Sequence, residues 1–162
     1  MKRAALLFLL LLAACGFQLR GTIELPFETL YVPGATSGIA LDIKRHIQSA
    51  SGTRVVEDPK EAEALLQFAS ETRSKEILAL NAAGRVREYR LYYRVSFLVA
   101  DGKGAEYVPR STITLQREIT YDESVALAKE TEEQLLFREM QSDMVRQILR
   151  RIAAARPAAK AN

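Results

Sequence analysis

Tyr89-Arg90-Leu91-Tyr92-Tyr93-Arg94-Val95-Ser96-Phe97-Leu98-Val99 alternates without a break. Tyr89, Leu91, Tyr93, Val95, Phe97 and Val99 fall on one side of an extended chain; Arg90, Tyr92, Arg94, Ser96 and Leu98 fall on the other. A period of two carried by aromatic and β-branched residues marks a strand with one buried face, and we read it over Arg85 to Ala100. Asp101-Gly102-Lys103-Gly104 turns the chain. From Tyr107 to Tyr121 the pattern returns, with Ile113, Leu115 and Ile119 inward and Thr112, Thr114, Gln116, Glu118 and Thr120 outward. Arg117 interrupts the apolar side. Upstream, Leu65 to Ala79 begins apolar, becomes polar through Ser70-Glu71-Thr72-Arg73-Ser74-Lys75-Glu76, and reaches the turn Asn81-Ala82-Ala83-Gly84. Short turns between three such runs predict an antiparallel meander.

Beyond Asp122 the period becomes helical. Leu136, Met140, Met144, Ile148 and Ile152 recur every fourth residue, flanked by Phe137, Val145 and Leu149. That stripe is wide enough to cover a sheet. Asp122 or Ser124 caps the helix, Glu123 suits the positive end of its dipole, Arg146, Arg150, Arg151 and Arg156 suit the other, and Pro157 ends it. Before the meander, Pro26 and Pro33 bracket a short strand, Phe27 to Val32. A helix from about Ser37 to Ala50 carries Ile39, Ile43 and Ile47, with Thr36-Ser37-Gly38 at its start and Gly52 expected to close it in a left-handed conformation. Arg54 to Glu57 is another short strand, ended by Asp58-Pro59. The order β-α-β-β-β-β-α predicts an α+β, two-layer domain, two helices on one face of a mixed four- to five-stranded sheet.

The amino terminus has a different character. Lys2 and Arg3 precede Leu6-Leu7-Phe8-Leu9-Leu10-Leu11-Leu12, and small residues lead to Cys15. This is the layout of a secretory signal, too short for a membrane span of about 20 apolar residues. Leu12-Ala13-Ala14-Cys15 resembles the lipobox of bacterial lipoproteins, in which the Cys is acylated and becomes the first mature residue. The chain's single Cys is therefore expected to be a lipid attachment site, and two or more acyl chains anchor a protein stably. The predicted organisation is a signal over 1–14, one domain over 15–156 and a tail over 157–162.

Among 162 residues, apolar content of 48% and charged content of 27% are ordinary for a globular chain. The formal net charge of +3 falls to +1 once Lys2 and Arg3 are removed. Bulk charge thus offers no case for nucleic acid. The one histidine, His46, has no Cys or second His to share a metal. No phosphate-cradling glycine loop and no nucleophile elbow occur. The carboxylates Glu130, Glu132 and Glu133 read as a solvated helix face rather than a catalytic pair. We expect no enzyme activity, no catalytic residue, no metal and no cofactor other than the acyl groups on Cys15. The basic residues are more informative. Arg85, Arg87, Arg90 and Arg94 crowd the central hairpin, and Lys129 sits early in the last helix, where the dipole disfavours it. Ordinary surface charge accounts for any one of them. As a group they suit a phosphate-bearing ligand, because guanidinium forks bind phosphate bidentately.

Cys15-Gly16-Phe17-Gln18-Leu19-Arg20, Glu88-Tyr89 at the opening of the central strand, and Ala126-Leu127-Ala128-Lys129-Glu130 followed by Glu139-Met140 together resemble the LptE family of lipopolysaccharide-assembly lipoproteins. That resemblance implies a non-enzymatic outer-membrane lipoprotein that plugs an LptD-type β-barrel and binds lipopolysaccharide through basic residues. It points to Lys129 in particular. A second basic position of the family falls where this chain has Ala82 and Ala83, so Arg85 and Arg87 are the nearest substitutes. Gly16 lacks the Asp that retains many lipoproteins at the inner membrane. The outward polar strand face suits a barrel lumen, and equally any half-solvated sheet. The alternative is a periplasm-facing lipoprotein that scaffolds envelope assembly without touching lipopolysaccharide.

Overall fold

The computed structural model describes residues 23–155. Cys15, the signal segment, the Cys15–Arg20 motif, Pro157 and the tail lie outside the described residues. Within them the elements are β1 (Thr29–Tyr31), α1 (Gly38–Ala50), β2 (Arg54–Val56), β3 (Ala64–Leu80), β4 (Val86–Ala100), β5 (Glu106–Thr120) and α2 (Ala126–Ala153). Short 3-10 turns at Pro59–Glu61 and Glu123–Val125 precede β3 and α2. The five strands form one mixed sheet in the order β2-β1-β3-β4-β5. This is the expected β-α-β-β-β-β-α domain.

The sheet is lopsided. β1 pairs in parallel with β2 and with only the first two residues of β3, Leu30 opposite Ala64 and Tyr31 opposite Leu65. Beyond Leu65, β3 has β4 as its only neighbour among the described residues, so β3, β4 and β5 project as a three-stranded antiparallel ribbon. Seventeen residues of β3 span roughly 50 Å at the usual strand rise. Thr29 latches the return from β2 to β3: its hydroxyl accepts from the Glu63 N–H at 2.8 Å and donates to the Glu61 carbonyl at 3.2 Å.

The core sits at the end where all five strands meet. Leu30, Ile43, Ile47, Leu66, Phe97, Ile148, Leu149 and Ile152 are buried there. The β4 alternation holds as read, with Leu91, Tyr93, Val95, Phe97 and Val99 buried. β3 departs from simple alternation. Phe68 pairs with Phe97 and Ser70 with Ser96, leaving Ala69 as a bulge. An extra residue shifts the parity. Leu66 and Phe68 face the helices before it; Glu71, Arg73 and Lys75, opposite Val95, Tyr93 and Leu91, face them after it.

Two expectations at the ends of α1 are corrected. Gly52 has no positive φ; the helix ends at Ser51, which is extended and donates its N–H to the Ile47 carbonyl. The Ser51 hydroxyl then accepts from the Thr53 N–H, and the buried Thr53 hydroxyl donates to the Phe27 carbonyl at 2.9 Å. That polar stitch does the work expected of a glycine. At the other end Ser37 takes the cap position without a side-chain hydrogen bond, and Gly38 turns the chain with φ of 59°.

Candidate ligand-binding site

The far end of the ribbon is built from two turns. Asn81 shapes the first: its Oδ1 accepts from the N–H groups of Ala83 and Arg85, both at 3.0 Å, and Gly84 supplies a φ of 75°. This places Arg85 at the mouth of the hairpin. Arg87 follows at the last of three irregularities in the β3–β4 pairing, where Ala79 pairs with Glu88 and Leu80 with Val86. Its carbonyl accepts the Tyr121 N–H at 2.7 Å, which ties the hairpin to the second turn. In that turn Asp122 Oδ1 accepts from the Ser124 hydroxyl at 2.7 Å and from its N–H at 2.9 Å. Those bonds hold the Asp122 carboxyl below the usual carboxylate range, with Lys129 adding to the effect. Between the turns lies an open cleft of about 770 Å³, lined by Asn81, Arg85, Arg87, Tyr121, Asp122 and Glu123 among others.

Lys129 reaches the same segment. Its Nζ donates to Thr120 Oγ1 at 3.2 Å and to Glu132 Oε2 at 2.9 Å. Arg85 and Arg87 of the hairpin and Lys129, distant from them in sequence, are thus gathered around Thr120–Glu123. Arg90 and Arg94 are not part of this group. They stand on the helix-free face of β4, where Arg90 donates to Glu118 at 2.8 Å and Arg94 to the Thr114 hydroxyl at 3.2 Å. The five cations therefore divide into an end cluster and a pair along the open face. His46 lies on α1 with Nδ1 3.2 Å from the Asp42 carbonyl.

What the sequence did not disclose is the matching set of carboxylates. Arg85 NH1 is 4.0 Å from Glu123, Arg87 Nε is 3.7 Å from Glu88, Arg90 NH2 is 2.8 Å from Glu118 and Lys129 Nζ is 2.9 Å from Glu132. The Glu118 hydrogen bond, followed by that of Tyr92, raises the Arg90 pKa above its ordinary value. The spacing of Lys129 and Glu132 was a readable helical signal. The cross-strand pair needed the β4–β5 register. Glu133, read as solvated, meets Lys75 at 2.6 Å.

A second open cleft, of about 700 Å³, lies at the opposite end beside Leu25, Phe27 and Thr53, rimmed by Glu24, Glu28 and Glu63. No helix among the described residues is long and apolar enough to cross a membrane.

Comparison with known proteins gives this arrangement its context. A lipoprotein B of Nitrosomonas europaea, solved in solution by NMR, superposes with a TM-score of 0.73 at 40% identity, covering 86% of this chain and 91% of that one. A rare lipoprotein B of Shewanella oneidensis gives 0.64 at 25% identity, over 78% of this chain and 92% of the other. The LPS-assembly lipoprotein LptE of Photorhabdus laumondii is 25% identical over 158 residues, 95% of this chain and 85% of that protein. The sequence model of the LptE family, described as lipopolysaccharide-assembly, matches residues 22–152. Four-fifths of the chain is spanned by that match, and the chain belongs to the LptE family.

Proposed function

We propose that this chain is a non-enzymatic subunit of lipopolysaccharide assembly, anchored to the outer membrane through an acylated Cys15 and seated in the lumen of an LptD-type β-barrel. The mature protein begins at Cys15 after loss of 1–14, with one domain to about residue 156 and a short tail over 157–162. Its ligand is lipopolysaccharide, whose phosphates are met by Lys129, Arg85 and Arg87, with Arg90 and Arg94 extending the basic track along the open face. The observation that carries this reading is the convergence on Thr120–Glu123 of Arg85 and Arg87 from the β3–β4 hairpin and of Lys129 from α2. The helix-free face supports the barrel partner. Ser96 and Thr112 hydroxyls lie 2.8 Å apart, Arg94 meets Thr114 and Arg90 meets Glu118. Such a hydrogen-bonding surface suits a polar lumen.

Two measurements test it. Lys129→Asp with Arg85→Asp is expected to weaken binding to purified lipopolysaccharide; unchanged binding removes these residues from the site. Purification from outer membranes is expected to bring a large barrel protein with the chain; recovery of the chain alone from cells that contain the barrel refutes the plug.

The second reading, an envelope scaffold that does not bind lipopolysaccharide, is favoured by one observation. Four of the five cations already face a carboxylate. The same binding assay separates the two.

A further inference from the structure

We infer that Glu123 and Glu132 are internal competitors that hold the cationic end of the ribbon in a latent, self-neutralised state, and that an anionic ligand binds by exchanging with them. The inference rests on the reading that Lys129 and Arg85 meet a ligand phosphate. Each cation there has its own carboxylate: Glu132 Oε2 lies 2.9 Å from Lys129 Nζ, and Glu123 Oε2 lies 4.0 Å from Arg85 NH1. Neither pair is structural in the way a core contact is. Glu123 and Arg85 are 79% and 75% exposed, and Glu132 is 47% exposed. Lys129 differs: its side chain is 19% exposed and braced by Thr120, so its ammonium is already positioned while its partner is free to leave.

Exposed pairs of this kind are weakly held and exchange with solvent ions. A carboxylate offers one charge and two oxygens, whereas a phosphate group offers a higher charge and three acceptor oxygens. The closed pair lowers the fraction of molecules ready to bind, and the apparent affinity falls by that fraction. The carboxylates therefore set a threshold: ligands that contact one cation weakly are refused, and a ligand that engages Lys129 and Arg85 together displaces both partners.

The test has an unusual sign, because truncating a contact of merely structural value does not tighten binding. The full lipidated chain in nonionic detergent is titrated against fluorescently labelled, purified lipopolysaccharide. Glu132→Gln and Glu123→Gln are each expected to tighten binding by about two- to five-fold, the range for release of a weak exposed pair, and the double variant by more. Glu130→Gln is the control. It removes the same charge from the same helix as Glu132 and close to Glu123, but Glu130 is exposed and forms no ion pair among the described residues. Double-variant binding no tighter than that of Glu130→Gln overturns the inference, as does weaker binding. If that happens while Lys129→Asp with Arg85→Asp still weakens binding, only the latency fails and the ligand site stands. If those aspartates leave binding untouched, the site itself falls and the latency with it. Thermal melts of each glutamine variant that match the parent confirm that the fold is not the variable measured.

Discussion

The two ends of the sheet are held together by different physics. At the five-stranded end, α1 and the second half of α2 bury Ile43, Ile47, Ile148, Leu149 and Ile152 against Leu30, Leu66 and Phe97. Toward the projecting end, the part of α2 up to Asp143 meets the ribbon through several polar groups. Lys75 reaches Glu133 at 2.6 Å and lies over the Tyr89 ring, Arg73 stacks on Tyr93 and Phe137 while meeting Gln141, and Arg117 reaches Asp143 at 2.9 Å. Tyr93 marks the border. Its ring is buried, its hydroxyl donates to Glu71 at 2.6 Å, and burial followed by that bond pushes its pKa well above the ordinary phenol value. Burial of an apolar side chain contributes about 1.5–3 kcal/mol, whereas an exposed ion pair contributes about 0–1 kcal/mol. Stability is concentrated where the strands are short, and the long strands end in a region where side chains are replaceable at little cost to the fold.

The contrast breaks first at the core. Ile148→Ala is expected to cost about 2–5 kcal/mol in urea unfolding. Leu127→Ala, on the same helix but 79% exposed, should stay within about 0.5 kcal/mol of the parent. Equal losses at the two positions would mean that α2 is supported evenly along its length. Thr53→Val comes next. It leaves the Phe27 carbonyl without its buried donor, and about 1–3 kcal/mol should be lost, read from the same urea curves. Asp143→Asn probes the polar end; with Arg117→Met in a double-mutant cycle, the coupling should be about 1 kcal/mol or less. A coupling well above that would place the ribbon's charges on a par with its core.

The smallest effect is a dependence on pH. The Lys75 pKa is raised by its hydrogen bond to Glu133, against an opposing effect of burial. A cation whose folded pKa lies above its unfolded value contributes stability that is complete below the unfolded value, about 10.4, and is lost as pH rises through the folded one. Stability should therefore decline on the alkaline side, and Lys75→Met should flatten that limb by under about 1 kcal/mol. An identical limb in the variant assigns the decline to other groups.

The ease of reading the sequence follows the same division. β4 and the second half of α2 were legible because each buries one face at a constant period, Tyr93 to Val99 and Met140 to Ile152. β3 was legible as a strand, read over Leu65 to Ala79 and found at Ala64–Leu80, but its facing was not, because Glu71, Arg73 and Lys75 occupy helix-facing positions that composition alone assigns to solvent. Inward-pointing charges on an open edge also discourage pairing with another chain. For the candidate site, the residue types were readable and the grouping was not. Arg90 and Arg94 look continuous with Arg85 and Arg87 along the chain, yet Lys129 is the one that joins the end cluster, through a contact with Thr120 that depends on how α2 folds back. Two of the carboxylate partners were hidden for the same reason: Glu118 is set by the β4–β5 register and Glu123 by the meeting of the two turns, whereas Glu88 and Glu132 are local to Arg87 and Lys129.

Ala69 has a consequence for how the gene tolerates length changes. The residue stands exposed and outside the β3–β4 ladder, so a chain lacking it keeps Phe68 and Glu71 on the side they now occupy and loses only the local bend. Removing one residue between Thr72 and Glu76 instead inverts everything on one side of the cut, turning hydroxyls toward α2 and cations toward the open surface. Insertions and deletions in this strand should therefore be accepted at the bulge and rejected a few positions later.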